Sequence, residues 1–164
     1  MKFHALIFTL ILLFTSCKVT APISNAKITP TKTKQYLILT ADDYGVSKNV
    51  NEGIEYAANL KLVTAIEAMT NFTASLPGLK NIQTKHPEIS IGIHLNITSG
   101  KPILPVDKIP SLVDPNGNFY DLEGLLPVAH LVNLSELKLE LEAQIQAAKN
   151  ATIYFDHFSN QHNI

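Results

Sequence analysis

Two hydrophobic periods alternate along the chain, and together they predict its elements. Tyr36 to Thr40 is a short apolar run ending in Ala41-Asp42-Asp43-Tyr44-Gly45, the pattern of a buried strand and its exit loop. Ser47 stands where a helix cap is wanted, ahead of Val50, Ile54 and Ala57/Ala58 on one face, so a helix is predicted to about Leu60. Leu62 to Thr70, rich in Val, Ile, Ala and Met, reads as a second strand. Leu76, Leu79 and Ile82 recur at three-residue spacing and give a second helix that stops before Pro87. From Ile89 to Ile97 the residues Ile89, Ile91, Ile93, Leu95 and Ile97 alternate with Ser90, Gly92, His94 and Asn96. Period-2 alternation sends the aliphatic set to one face and the small and polar set, His94 included, to the other.

Thr98 to Val132 is rich in Pro and carries a turn at Asp114-Pro115-Asn116-Gly117. Connections of this length within a domain are functional or disordered. Asn133 then caps a helix, with Glu136 at capping-box spacing and Leu137, Leu141 and Ile145 down one side to about Lys149. A fourth strand is predicted over Thr152 to Phe155, leading into Asp156-His157-Phe158-Ser159-Asn160-Gln161-His162-Asn163-Ile164.

Strands alternating with helices imply parallel pairing and right-handed crossovers, an α/β fold over residues 35–164. In such folds chemistry gathers at the carboxyl ends of the strands. Three predicted strand ends carry polar clusters: Asp42-Asp43, His94, and His157 with His162.

The N-terminal segment changes the picture. Lys2 and His4 precede a largely apolar stretch from Ala5 to Phe14, followed by Thr15-Ser16-Cys17. About 10 residues are too few for a spanning helix, which needs about 20, and the layout is that of a secretory signal over residues 1–16. Phe14-Thr15-Ser16-Cys17 resembles a bacterial lipobox, and Cys17 is the single cysteine of the chain. Cys17 is thus expected to carry lipid, with 17–34 as a tether, in a protein of the cell envelope facing the periplasm or held at the outer membrane. An ordinary signal peptide with an incidental cysteine is the plainer alternative. The formal net charge is −1 and no block of like charges occurs, which argues against a nucleic-acid partner.

One carboxylate and two imidazoles suffice to hold Zn²⁺ or a similar ion with a position left for water, and a second carboxylate beside them can act as general base. The motifs also carry a family resemblance. Leu39-Thr40-Ala41-Asp42-Asp43-Tyr44-Gly45-Val46-Ser47, followed by Val50-Asn51-Glu52-Gly53-Ile54, resembles the opening motif of the YdjC-like (ChbG/HpnK) carbohydrate deacetylases. Ile91-Gly92-Ile93-His94-Leu95-Asn96-Ile97-Thr98-Ser99-Gly100-Lys101-Pro102 resembles their second motif.

The resemblance implies a (β/α)-barrel-like hydrolase dependent on a divalent metal (Zn or Mg) that removes N-acetyl groups from amino sugars in oligosaccharides. Four strands do not close a barrel of eight, so the chain is expected to be an incomplete, truncated part of such a domain. It places Asp43 and His94 on metal ligands and Asp42 on the catalytic base. The family's third motif reads Thr-His-x-Asp-Ser-His-x-His, and this chain departs from it. Without gaps, His157 falls on the first His, Ser159 on the Asp and Gln161 on the ligand His. His162, one residue further on, is taken as the third ligand, with His157 as its alternative.

Plainer readings compete at each position. Asp42-Asp43 also suits the start of a turn, and His94 a satisfied interior histidine. A receiver-type signalling domain pairs acids after its first strand, but it needs a phosphoacceptor Asp where this chain has His94. A noncatalytic glycan-binding lipoprotein built on such an enzyme is the remaining rival.

Overall fold

The computed structural model describes residues 34–163. The signal segment, Cys17 and nearly all of the tether lie outside the described residues. Four parallel strands form one sheet in the order β1-β2-β3-β4, comprising Thr40–Tyr44, Ala65–Ala68, Ser90–Leu95 and His157–Asn160. Helix α1 (Lys48–Asn59) connects the first pair and α2 (Ser75–Lys85) the second. A long crossover containing α3 (Leu122–Val128) and α4 (Leu134–Asn150) connects β3 to β4. The expected α/β class with parallel pairing is therefore what the chain adopts.

One face of the sheet is apolar. Tyr44, Ile66, Ala68, Ile91 and Ile93 pack with Ile54, Ala58, Leu79, Ile82, Ala148 and Ile153 in a single buried cluster. Burying aliphatic side chains of this size contributes about 1.5–3 kcal/mol each, and this face is what fastens the helices. The opposite face carries Glu67, Gly92, His94, His157 and Ser159. Its rungs follow from the register, with Glu67 beside Gly92, Gly92 beside His157, and His94 beside Ser159.

Three predicted strands are displaced from their expected places. The first begins at Thr40, and Tyr36, Leu37 and Ile38 are exposed; pairing reaches back only to Leu39, whose carbonyl accepts from Thr64 N and Ala65 N. Asp42 and Asp43 thus lie within the strand and not in its exit loop. The second strand is shorter than its apolar run. The fourth is His157–Asn160, after the apolar stretch read as the strand. Thr152 takes a left-handed φ of 57° as α4 ends, and Ile153 N bonds back to Ala148 O. Ile153 is consumed by the core, and the ladder starts where Asp156 N reaches Ile91 O.

Helix α4 also differs from its pattern. Its fully buried positions are Glu140, Gln144 and Ala148, while Leu137, Leu141 and Ile145 are only partly covered. Gln144 clamps Asn96 by accepting from its N–H (3.0 Å) and donating to its carbonyl (2.6 Å). Glu140 accepts from Ile103 N, Leu104 N and Gln144 Nε2, each at 3.0 Å. Asn133 caps the helix by accepting from Ser135 N, but Glu136 does not close a capping box. Its Oε2 instead accepts from Ser111 N at 2.8 Å. The crossover is ordered by these bonds and by a small core of Ile109, Leu112, Val113 and Phe119.

Candidate active site

The site starts from a bulge in β1. Ala41 pairs with Ile66 and Tyr44 with Ala68, so Asp42 and Asp43 together stand opposite the single residue Glu67. A bulge of this kind re-aims a side chain at the end of a strand. Asp43 absorbs it with a left-handed φ of 66°, which Asp tolerates better than most residues. The next turn is held by Asn51, whose Oδ1 accepts from Gly45 N (2.7 Å) and whose Nδ2 donates to Ala74 O (3.1 Å). Gly45 itself sits at φ 109°, where other residues are strained. Tyr44 anchors the bulge from the apolar side; it is fully buried, and its hydroxyl donates to Glu55 at 2.8 Å. Burial, and then the Glu55 carboxylate, push that phenol well above its ordinary value.

The bulge brings Asp43 beside β3. Asp43 Oδ1 lies 3.8 Å from His94 Nε2. The Asp43 side chain is 44% exposed, yet Oδ1 itself is buried without a hydrogen-bond partner. His94 is buried and uses both ring nitrogens, with Nδ1 2.6 Å from Ser159 Oγ and Nε2 2.9 Å from Gln161 Oε1. Asp42, the neighbouring residue of the bulge, is exposed.

The two remaining predicted histidines go elsewhere. His162, in the left-handed region at φ 59°, places Nδ1 3.0 Å from Thr98 Oγ1. Gln161, and not His162, is the residue that meets His94. His157 stands one rung toward the amino end of the sheet, between two carboxylates, with Nε2 2.5 Å from Glu67 Oε1 and Nδ1 2.5 Å from Asp156 Oδ1. Neither of its nitrogens is left for a metal.

Glu67 is a site residue that the sequence pattern hid. It is buried in the middle of β2, with Oε2 accepting from Ser159 Oγ at 2.5 Å. It reaches β4 by passing over Gly92, where any Cβ would collide with Glu67 Oε2 and stand 2.5 Å from His157 Nε2. The signal for it was a single charged residue inside an apolar strand.

Burial pulls the His157 imidazole down, but the Asp156 hydrogen bond and the charges of Glu67 and Asp156 outweigh it and hold the ring above its ordinary value. Ser90 first, and His157 second, hold the Asp156 carboxyl below the usual range. The raised imidazole stabilises the fold fully below its unfolded value of about 6.5 and loses that contribution as pH rises through its folded value. The depressed carboxyl stabilises above about pH 4 and loses its contribution as pH falls through its folded value. The bridge from β2 to β4 is therefore strongest between about pH 4 and 6.5. Denaturant unfolding of wild type and His157→Gln across pH 5 to 9 should show a stability gap that narrows on the alkaline side. A gap that stays constant or widens would refute this assignment.

The donor set bears on a cation. Asp43 Oδ1 is an acceptor buried with no donor, and an imidazole nitrogen stands within ion-pair reach of it. An amide oxygen lies against the same nitrogen. Two of these atoms belong to residue types that bind divalent metals, and the third is a weaker neutral oxygen. Among the described residues no group of three His, Cys, Asp or Glu side chains is placed to hold a metal ion. Asp43 and Gln161 both approach His94 Nε2, a pair of ligand types with one neutral oxygen beside them.

A parallel α/β sheet with paired acids on a bulged first strand and a buried histidine on the third defines a narrow class of protein. The chain belongs to the YdjC-like protein family, whose sequence profile matches residues 36–164. It is 34% identical over 129 residues to a carbohydrate deacetylase of Halalkalibacterium halodurans, a match covering 78% of this chain and 53% of that protein. A carbohydrate deacetylase of Enterococcus faecalis is 34% identical over 130 residues, covering 78% and 48%. Among solved structures, one from Enterococcus faecalis described as a candidate cellobiose-phosphate cleavage protein superposes with a TM-score of 0.71 at 32% identity. That match covers 80% of this chain and 50% of that one. The chain spans about half the length of the relatives it matches.

Proposed function

We propose that this chain carries the metal-binding and base-supplying part of a carbohydrate deacetylase that acts on N-acetylated amino sugars in oligosaccharides. The observation behind this reading is the buried, partnerless Oδ1 of Asp43 beside His94 Nε2, in a family whose curated relatives are named carbohydrate deacetylases. Asp43 and His94 hold the divalent cation, with Gln161 Oε1 as a neutral oxygen beside them. The imidazole favours zinc over magnesium. When bound, such an ion polarises a carbonyl and makes water more acidic.

The chain's own groups then divide the work. His94 is oriented by Ser159. Asp42, exposed on the same bulge, accepts a proton from the attacking water and returns one to the leaving nitrogen. The water oxygen bonds to the acetyl carbon, the carbon–nitrogen bond breaks, and acetate and a free amine result. The leader and Cys17 support a place at the cell envelope, with the domain tethered to a membrane by lipid.

The test is acetate release from N-acetylated oligosaccharides by the full-length protein supplied with zinc. Asp42→Asn should keep the ion and lose about 10²–10⁴-fold in rate. Zinc binding without any acetate release from wild type would sink the hydrolase reading and favour a glycan binder.

A further inference from the structure

We infer that Asn51 is a positioning residue that fixes the turn from Asp43 to Val46 and thereby holds the Asp43 carboxylate against His94. The inference rests on the proposed cation site and concerns how one of its ligands is kept in place. Asp43 is held against two local preferences, with a left-handed φ of 66° and an Oδ1 buried without a hydrogen-bond partner. Arrangements of that kind last only where the surroundings over-determine them. The bulge is therefore fastened from outside β1.

Asn51 supplies the fastening. It lies in the first turn of α1, is 8% exposed, and spans two other segments with its amide. Oδ1 accepts from Gly45 N at 2.7 Å and Nδ2 donates to Ala74 O at 3.1 Å. Main-chain N–H groups only donate and carbonyls only accept, so these partners settle which way the amide points. Gly45 is buried, and it abuts Ser75 so closely that an added Cβ would stand 2.5 Å from the serine Cβ. A main-chain donor buried this way is costly to leave without its acceptor, so the segment has to move when Asn51 is lost.

The hydrogen bond acts on the peptide that decides the turn. Val46 N donates to Asp43 O at 3.2 Å, which makes Tyr44 and Gly45 the central pair, with Gly45 at φ 109°. The orientation of the peptide between a central pair sets the turn type. Here its oxygen accepts from Met69 N at 2.9 Å and its N–H is taken by Asn51, so both polar ends are fixed. One helical turn along α1, Glu55 accepts from the Tyr44 hydroxyl at 2.8 Å. Helix α1 thus grips Tyr44 by its side chain and Gly45 by its main chain, and the bulge that carries Asp43 ends on that grip.

The test is NMR of the metal-free, full-length protein, read as the Overhauser contact between the Asp43 β protons and the His94 ring, followed by zinc titration. Wild type should show the contact. Asn51→Ala should lose it and bind zinc about 10–100-fold more weakly, the range for groups that orient a ligand without touching the ion. Ile82→Ala, which empties buried volume further along α2, lowers stability and should keep both. Asn51→Asp retains an acceptor for Gly45 N and should keep the contact; it decides the matter if Asn51→Ala does not fold. Added to Asp43→Asn, Asn51→Ala should cost little further zinc affinity, because its effect runs through Asp43. No contact in wild type, a contact that survives in Asn51→Ala or vanishes in Asn51→Asp, a zinc loss shared by Ile82→Ala, or one that adds in full to Asp43→Asn would overturn the inference. The contact is read without metal, so wild type failing to bind zinc would refute the proposed function and leave this result to stand or fall separately.

Discussion

Glu140→Ala should lower the stability of the domain by about 2–5 kcal/mol, the cost of three lost hydrogen bonds to a fully buried carboxylate. The side chain is fully buried, and its oxygens serve Ile103 N, Leu104 N and Gln144 Nε2. Alanine takes this acceptor from all three donors, and the Gln144 clamp on Asn96 loses its support. The neighbouring Glu142 makes a fair control. It pairs with Lys138 at 2.7 Å on an exposed surface, where a pair four residues apart contributes about 0.3–0.5 kcal/mol. Urea unfolding of the two variants should separate them several-fold in free energy. Equal losses would show that burial at Glu140 does not carry the weight assigned to it.

Asp43→Asn should act in opposite directions on binding and on stability. Losing the only charged oxygen of the proposed site should weaken zinc binding by more than about 100-fold, beyond the loss expected for an outer partner. The fold itself should be unharmed or stabilised by about 1 kcal/mol. Asn tolerates the left-handed φ as Asp does, and its amide brings N–H donors to a place where Oδ1 now has none. Isothermal titration with zinc and thermal unfolding of the same preparation check both halves. A variant that binds zinc normally, or one that melts well below wild type, would refute the assignment.

Much of the site is legible in the residues because two of its parts obey strong periodic rules. His94 is placed by alternation within β3, where every second residue is aliphatic and goes to the core. Asp42 and Asp43 are legible as a polar pair closing an apolar run, although their strand begins later than the run itself. The hidden parts depend on tertiary pairing. Glu67 shows no partner until β2 and β4 are brought to either side of Gly92. The register of β4 is masked by the apolar residues ahead of it, which go to the core and not to the ladder. Gln161 and His162 are separated by a backbone that turns left-handed at His162, which no hydrophobic pattern reports. Helix α4 misleads most, because its deepest positions are a glutamate and a glutamine whose bonds to the main chain outweigh the cost of burying them.

The extra residue between Ala41 and Tyr44 couples two requirements that are usually met separately. Tyr44 must fall on the apolar side to fill the core, and a carboxylate must fall beside His94. With side chains alternating every second residue, removing one position there would turn the tyrosine outward or carry the acid away. The stretch is therefore rigid in length as well as in composition. An insertion or deletion of one codon here strikes packing and chemistry together.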